Sequence, residues 1–188
     1  EILTDPSYAG QSVVMTYPLI GNYGITPDRE SRKIWARGLI VKELSRTPSN
    51  FRCEGTIQAL LEKEEVAGIE GIDTRTLTKI LREKGTMNGL ITTDEHYDLQ
   101  QILPMLKKYT IGDVVMETTC QEVYRLEGDG PRVALLDLGA KDNIAGSLNR
   151  RGCQVTVYPA DTSAERILGT HLDGIMLSNG PGDPSSCT

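Results

Sequence analysis

The sequence predicts an α/β protein in two parts, the second of which opens a doubly wound parallel sheet. Three observations carry this. Past residue 130, three apolar runs alternate with two helical segments at ~20-residue spacing, the β-α-β-α-β rhythm of parallel crossover units. The first of those runs, Arg132 to Leu138, is almost continuously apolar, as a strand covered on both faces requires. Before residue 130, strand and helix patterns mix irregularly, so the organisation changes there.

In the first part, Ser12–Tyr17 and Trp35–Val41 read as strands. The long Gly/Asn/Pro segment from Pro18 to Pro27 reads as a loop. Helices are expected at about Thr56–Glu65 and Thr74–Lys84. For the second, Asp73 fits the N-cap, Ile72 and Leu77 a hydrophobic staple, and Gly85 the C-terminal position; Leu77, Ile80 and Leu81 make its apolar stripe. Gly89–Thr92 is a further strand candidate, and Asp98–Lys108 a helix interrupted by Pro104. The polar, Gly-rich stretch Glu122–Pro131 reads as a linker. In the second part, strands are expected at Arg132–Leu138, Gln154–Tyr158 and Asp173–Ser178, with helices at Asn143–Arg151 and Ser163–Leu168. Three strands alone would leave sheet edges bare and prone to associate.

Composition removes several classes of function. The 188 residues carry a net charge of −6 without a Lys/Arg cluster, which argues against a nucleic-acid partner. One Trp, seven Tyr and one Phe are too few for a base-stacking platform. The longest uncharged stretch, Pro6 to Pro27, is broken by prolines and glycines and cannot be a spanning helix, so no membrane role is expected. Cys53, Cys120, Cys153 and Cys187 are scattered without C-x-x-C spacing, which excludes a zinc knuckle or thioredoxin-like pair and suggests free thiols in a reducing cytoplasm. No metal site is expected.

The sharpest local signal is Leu177-Ser178-Asn179-Gly180-Pro181-Gly182-Asp183-Pro184, at the carboxyl end of a parallel strand where open α/β sheets bind ligands. Gly180 and Gly182 can bring backbone N–H groups close to a substrate, and two prolines stiffen the loop for a developing oxyanion. The competing reading is a plain Pro/Gly turn. LSNGPGDP after a βαβαβ opening resembles the oxyanion loop of class I glutamine amidotransferases. EILTDPSYAGQ, TYPLIGNYG, GIDTRTLTKILREKG and DLGAKDNI, in that order, resemble the small-subunit family of carbamoyl phosphate synthetase. The resemblance spans essentially the whole chain.

The resemblance implies an N-terminal swivelling β/β/α-type domain over residues 1–128, lacking its first strands. It implies an incomplete class I amidotransferase domain of flavodoxin-like type over residues 131–188. It further implies glutamine hydrolysis to glutamate and ammonia, with ammonia channelled to a large synthetase subunit. That subunit uses ATP and Mg with bicarbonate to make carbamoyl phosphate for pyrimidine and arginine synthesis. This chain is expected to need no cofactor of its own. By resemblance, Ser7 contacts the bound L-glutamine, and Gly180 and Gly182 bind the glutamine and its oxyanion. Asn179, Lys141 and Asp5 are candidates for loop or tunnel support; a solvated lysine and a turn aspartate are equally open readings.

The family's nucleophilic cysteine on a G-x-C-x-G-x-Q elbow has no match in the chain. It and the His and Glu that activate it are expected beyond Thr188. The chain therefore reads as truncated at both ends, without catalytic residues, and inactive alone. Cys187 lacks the elbow glycines, and His96 and His171 lie outside any triad pattern. The alternative is a non-enzymatic docking module that binds the large subunit. A nucleotide-binding domain is disfavoured because the turn Gly139–Asn143 lacks G-x-G-x-x-G.

Overall fold

The computed structural model describes residues 1–186, so Cys187 and Thr188 lie outside the described residues. The chain divides into two compact units, one of residues 10–29 and 36–110, the other of residues 1–9, 30–35 and 111–188.

The first unit holds β1 (Ser12–Val14), β2 (Gly38–Ile40), α1 (Ile57–Lys63), β3 (Ala67–Ile69), α2 (Thr74–Lys84) and α3 (Leu99–Lys108). Its sheet is parallel in the order β1-β2-β3, with Leu39 between Val13 and Gly68. Both expected strands are present but shorter. Gly89–Thr92 forms no strand; the third strand is Ala67–Ile69, whose Ala and Gly carry little β-propensity to announce it.

The helix starts lie where capping chemistry puts them. Thr56 accepts from the Ala59 N–H at 3.1 Å and Asp73 from the Thr76 N–H at 3.0 Å. Gly85 ends α2 with φ +82°, and its N–H returns to the Leu81 carbonyl. The α2 stripe is only half buried, and Ile80 is exposed. Pro104 removes one backbone donor but does not interrupt α3.

In the second unit, two single 3-10 turns, Ile2–Thr4 and Pro6–Tyr8, precede α4 (Val114–Thr118), β4 (Tyr124–Leu126), β5 (Arg132–Asp137), α5 (Asp142–Arg150), β6 (Gln154–Pro159), α6 (Ala164–Leu168) and β7 (Gly174–Leu177). The three predicted strands and two helices are present within a residue or two. The sheet order is β4-β6-β5-β7, with β5 parallel to both β6 and β7. Two expectations are corrected. The stretch read as a linker contains β4, which pairs antiparallel with β6, and that edge is therefore covered. Leu126 of β4 packs on the core, which is the apolar contact that holds a strand in an otherwise polar stretch.

Apolar layers lie on both faces. Leu135, Val155 and Val157 pack with Ala145 of α5, while Ala134 and Tyr158 pack with Ile167 of α6. The order β6-β5-β7 reverses direction at β5, so the crossovers leave by opposite faces and open a crevice at the carboxyl ends of β5 and β7. Among the described residues β7 is an edge strand, and Ile175, Met176 and Leu177 are exposed along it. No described helix is long and apolar enough to cross a membrane.

Burial separates two leucines of neighbouring strands. Leu135 is 1% exposed and Leu177 66%. Urea unfolding should show a loss of about 2–5 kcal/mol for Leu135→Ala and under about 0.5 kcal/mol for Leu177→Ala. Equal losses would mean the sheet core is not where this packing puts it.

Candidate functional site

The crevice between the ends of β5 and β7 is built first by Asp137, the last residue of β5. Its buried carboxylate accepts the Gly139 N–H at 2.9 Å and the Ala140 N–H at 2.7 Å through one oxygen. The other oxygen takes the Cys120 N–H at 2.7 Å. These charge-assisted bonds fix the β5–α5 turn and the segment that follows α4. The Thr119 hydroxyl adds a 2.6 Å bond to the Asp137 carbonyl and accepts the Ala160 N–H at 2.9 Å, which ties in the end of β6.

Across the crevice, Ser178 holds the loop that follows β7. Its N–H reaches the Leu136 carbonyl at 3.1 Å. Its hydroxyl accepts from the Leu138 N–H at 2.9 Å and donates to the Asn179 carbonyl at 2.7 Å. Gly180 lies so close to the Leu138 carbonyl that a Cβ there would collide with backbone, which excludes every other residue type. Gly182 has φ +81° with Val114 beside it, a conformation that side chains disfavour. The loop is therefore a close-packed structure rather than a plain turn. Among the described residues no group accepts from the Gly180 or Gly182 N–H.

Four candidates from opposite ends of the sequence meet here. The Asn179 side-chain amide points at the Ser7 hydroxyl, 3.5 Å away across 172 residues of sequence. Asp5 caps the turn that carries Ser7, accepting the Ser7 N–H at 2.9 Å. Its other oxygen lies 2.8 Å from the Lys141 ammonium, which stands immediately before α5. Lys141 and Asp5 are thus an ion pair, in which Asp5 is also the aspartate that caps the turn.

These electrostatics have a direction. Burial pushes the Asp5 carboxyl up, but the hydrogen bonds from Lys141 and from the Ser7 N–H outweigh it and hold the group below its ordinary 3.8. Lys141 is raised above its ordinary 10.5, chiefly by its hydrogen bond to Asp5.

Two family models match this chain. One is the carbamoyl-phosphate synthase small chain, CPSase domain, over residues 1–91; the other is glutamine amidotransferase class-I, over residues 134–188. The carbamoyl phosphate synthase small chain of Clostridium perfringens is 49% identical over 185 residues, covering 98% of this chain and 53% of that protein. That of Chlorobaculum tepidum is 48% identical over 193 residues, covering 100% and 53%. That of Listeria monocytogenes serotype 4b is 45% identical over 186 residues, covering 98% and 51%. The chain belongs to the carbamoyl phosphate synthase small-chain family. It spans about half the length of the curated relatives it matches.

The residues that sequence reasoning missed are the supports. Asp137 was legible as a carboxylate closing an apolar run, and Ser178 as the residue before the glycine loop. Glu30 carried no local signal. Its N–H donates to the Thr4 hydroxyl at 3.1 Å, its carbonyl accepts the Asp142 N–H at 3.0 Å, and its carboxylate lies 3.9 Å from Lys141.

The described thiols are free. Cys120 is half-buried beside Asp137, and burial followed by that carboxylate pushes its thiol up to about 11, so it is protonated at neutral pH. Cys187 lies outside the described residues. So does Thr188. His96 and His171 are exposed. Among the described residues no group of three His, Cys, Asp or Glu is placed to hold a metal ion. The clefts of about 460 and 570 Å³ in the two units contain none of the six candidates; of these, Asn179, Gly180 and Gly182 are exposed and Asp5 is buried.

A depressed carboxyl stabilises the fold above its unfolded pKa, and that contribution is lost as pH falls through the folded value. Asp5 therefore adds stability that is present above about pH 4 and lost below 3.8, whereas the raised Lys141 adds stability that is lost only above 10.5. Asp5→Asn should flatten the acid limb of stability, read as urea midpoints from pH 2.5 to 6. An unchanged limb would show that the pair contributes nothing.

Proposed function

We propose that this chain carries the substrate-positioning part of the glutamine-hydrolysing small subunit of a carbamoyl phosphate synthetase. The observation that carries the reading is the meeting of Ser7 with the Asn179–Gly182 loop at the crevice between β5 and β7. The Ser7 hydroxyl can serve the carboxylate or the amine of L-glutamine. The Gly180 and Gly182 N–H groups point to the role of donors for the glutamine amide oxygen as it gains negative charge. They suit that role because the Ser178 hydrogen bonds and the close approach of Gly180 to the Leu138 carbonyl hold their loop against the end of β5. Asn179 orients the Ser7 hydroxyl, and the Asp5–Lys141 pair anchors the turn beneath it.

On this reading the released ammonia passes to a large synthetase subunit, which supplies the ligase chemistry with ATP, Mg and bicarbonate. The carbamoyl phosphate feeds pyrimidine and arginine synthesis. The working form is a cytoplasmic heterodimer of small and large subunits. No described residue supplies a base-activated thiolate, and the raised Cys120 cannot replace one at neutral pH. The 188 residues by themselves are accordingly inactive.

The test compares the 188-residue chain with the full-length small chain and its large partner in a coupled glutamate assay. Glutamine hydrolysis should be at buffer level for the first and readily measured for the second. Turnover by the 188-residue chain would overturn the assignment of inactivity. A full-length complex without turnover would overturn the function.

A further inference from the structure

We propose that Glu30 is a positioning residue that acts on Ser7 through Lys141 and Asp5, fixing the hydroxyl for an amino-acid substrate. The proposal rests on the glutamine-binding role of Ser7 given above. Asp5 offers one carboxylate oxygen to the Ser7 N–H and the other to Lys141. The Lys141 ammonium therefore decides where the Asp5 carboxylate sits, and with it the turn that carries Ser7. Glu30 is the second carboxylate near that ammonium, with one oxygen 3.9 Å away.

The other Glu30 oxygen is buried without a hydrogen-bond partner among the described residues. A carboxylate oxygen held this way costs stability, since removal from water is uncompensated. Fold stability alone does not explain its presence, whereas a second anchor for Lys141 does. The backbone around Glu30 is secured separately. The Ser31 hydroxyl donates to the Thr4 carbonyl at 2.6 Å, and the Trp35 N–H donates to the Leu3 carbonyl at 2.9 Å. Together with the Glu30 N–H on Thr4, these bonds lay residues 30–35 along the segment that bears Asp5 and Ser7. Removing only the charge at Glu30 leaves all of them in place, so its effect can be separated from that of the strap.

The test uses the full-length small chain in complex with its large partner. Glu30→Gln should raise the KM for glutamine about 10-fold with kcat within about 2-fold, the signature of weakened substrate placement without loss of chemistry. Glu30→Asp, which keeps the charge, should recover part of the loss. In a Lys141→Met background Glu30→Gln should add almost nothing, because the route through the ammonium is already cut. Acylation of Lys141 by an amine-reactive ester, read by peptide mass spectrometry, should be several-fold faster in Glu30→Gln, and this measurement needs no activity. An active wild type with an unchanged KM in Glu30→Gln, or an equal effect of that change in both backgrounds, would overturn the proposal. A wild type that does not hydrolyse glutamine would instead overturn the functional reading on which it rests.

Discussion

A buried carboxylate at the end of the central strand is the constraint on which the candidate site depends. Asp137 gathers three backbone N–H groups from two separate segments at a buried to half-buried position. Without it, the β5–α5 turn would keep orphan donors, and the cost of unmet hydrogen bonds would fall on the crevice. With it, Lys141 is delivered to a fixed point four residues further along the chain. Lys141 holds Asp5, and Asp5 holds the turn that carries Ser7. The opposite wall has its own lock in Ser178, whose hydroxyl spans the ends of β5 and β7. The close approach of Gly180 to the Leu138 carbonyl then leaves no room for a side chain at that point of the loop.

The parts legible in the sequence are those with strong local physics. Arg132–Asp137 and Gln154–Pro159 announce themselves because burial on both faces demands a continuous apolar run. Helix α2 is bounded by Asp73 and Gly85, residues that satisfy orphan groups at its two ends. Strands β3 and β4 escaped because each is three residues long, which is too short for a period to show, and their pairing is decided by distant partners. The five-residue α4 escaped for the same reason.

The site divides in the same way. Gly180 and Gly182 sit in a conspicuous motif, and the structure supplies a steric reason for each. Ser7 looks like any turn serine, and only the resemblance of its segment to a family motif distinguishes it. Its meeting with Asn179, at the far end of the sequence, is a tertiary fact. Glu30 is less legible still, because each of its contacts reaches a segment more than twenty residues away. Chemistry-bearing residues in loops are readable only where the loop itself is unusual; their supports are readable only in three dimensions.

The central claim is that Ser7 and the Gly180–Gly182 loop form one wall of a glutamine site. It is tested most directly by a crystal structure of the full-length small chain with L-glutamine bound. The account predicts the Ser7 hydroxyl within hydrogen-bond distance of the amino-acid end of the ligand, and the Gly180 and Gly182 N–H groups facing its amide oxygen. Glutamine bound elsewhere, with Ser7 still turned to Asn179 and the loop N–H groups facing solvent, would contradict it.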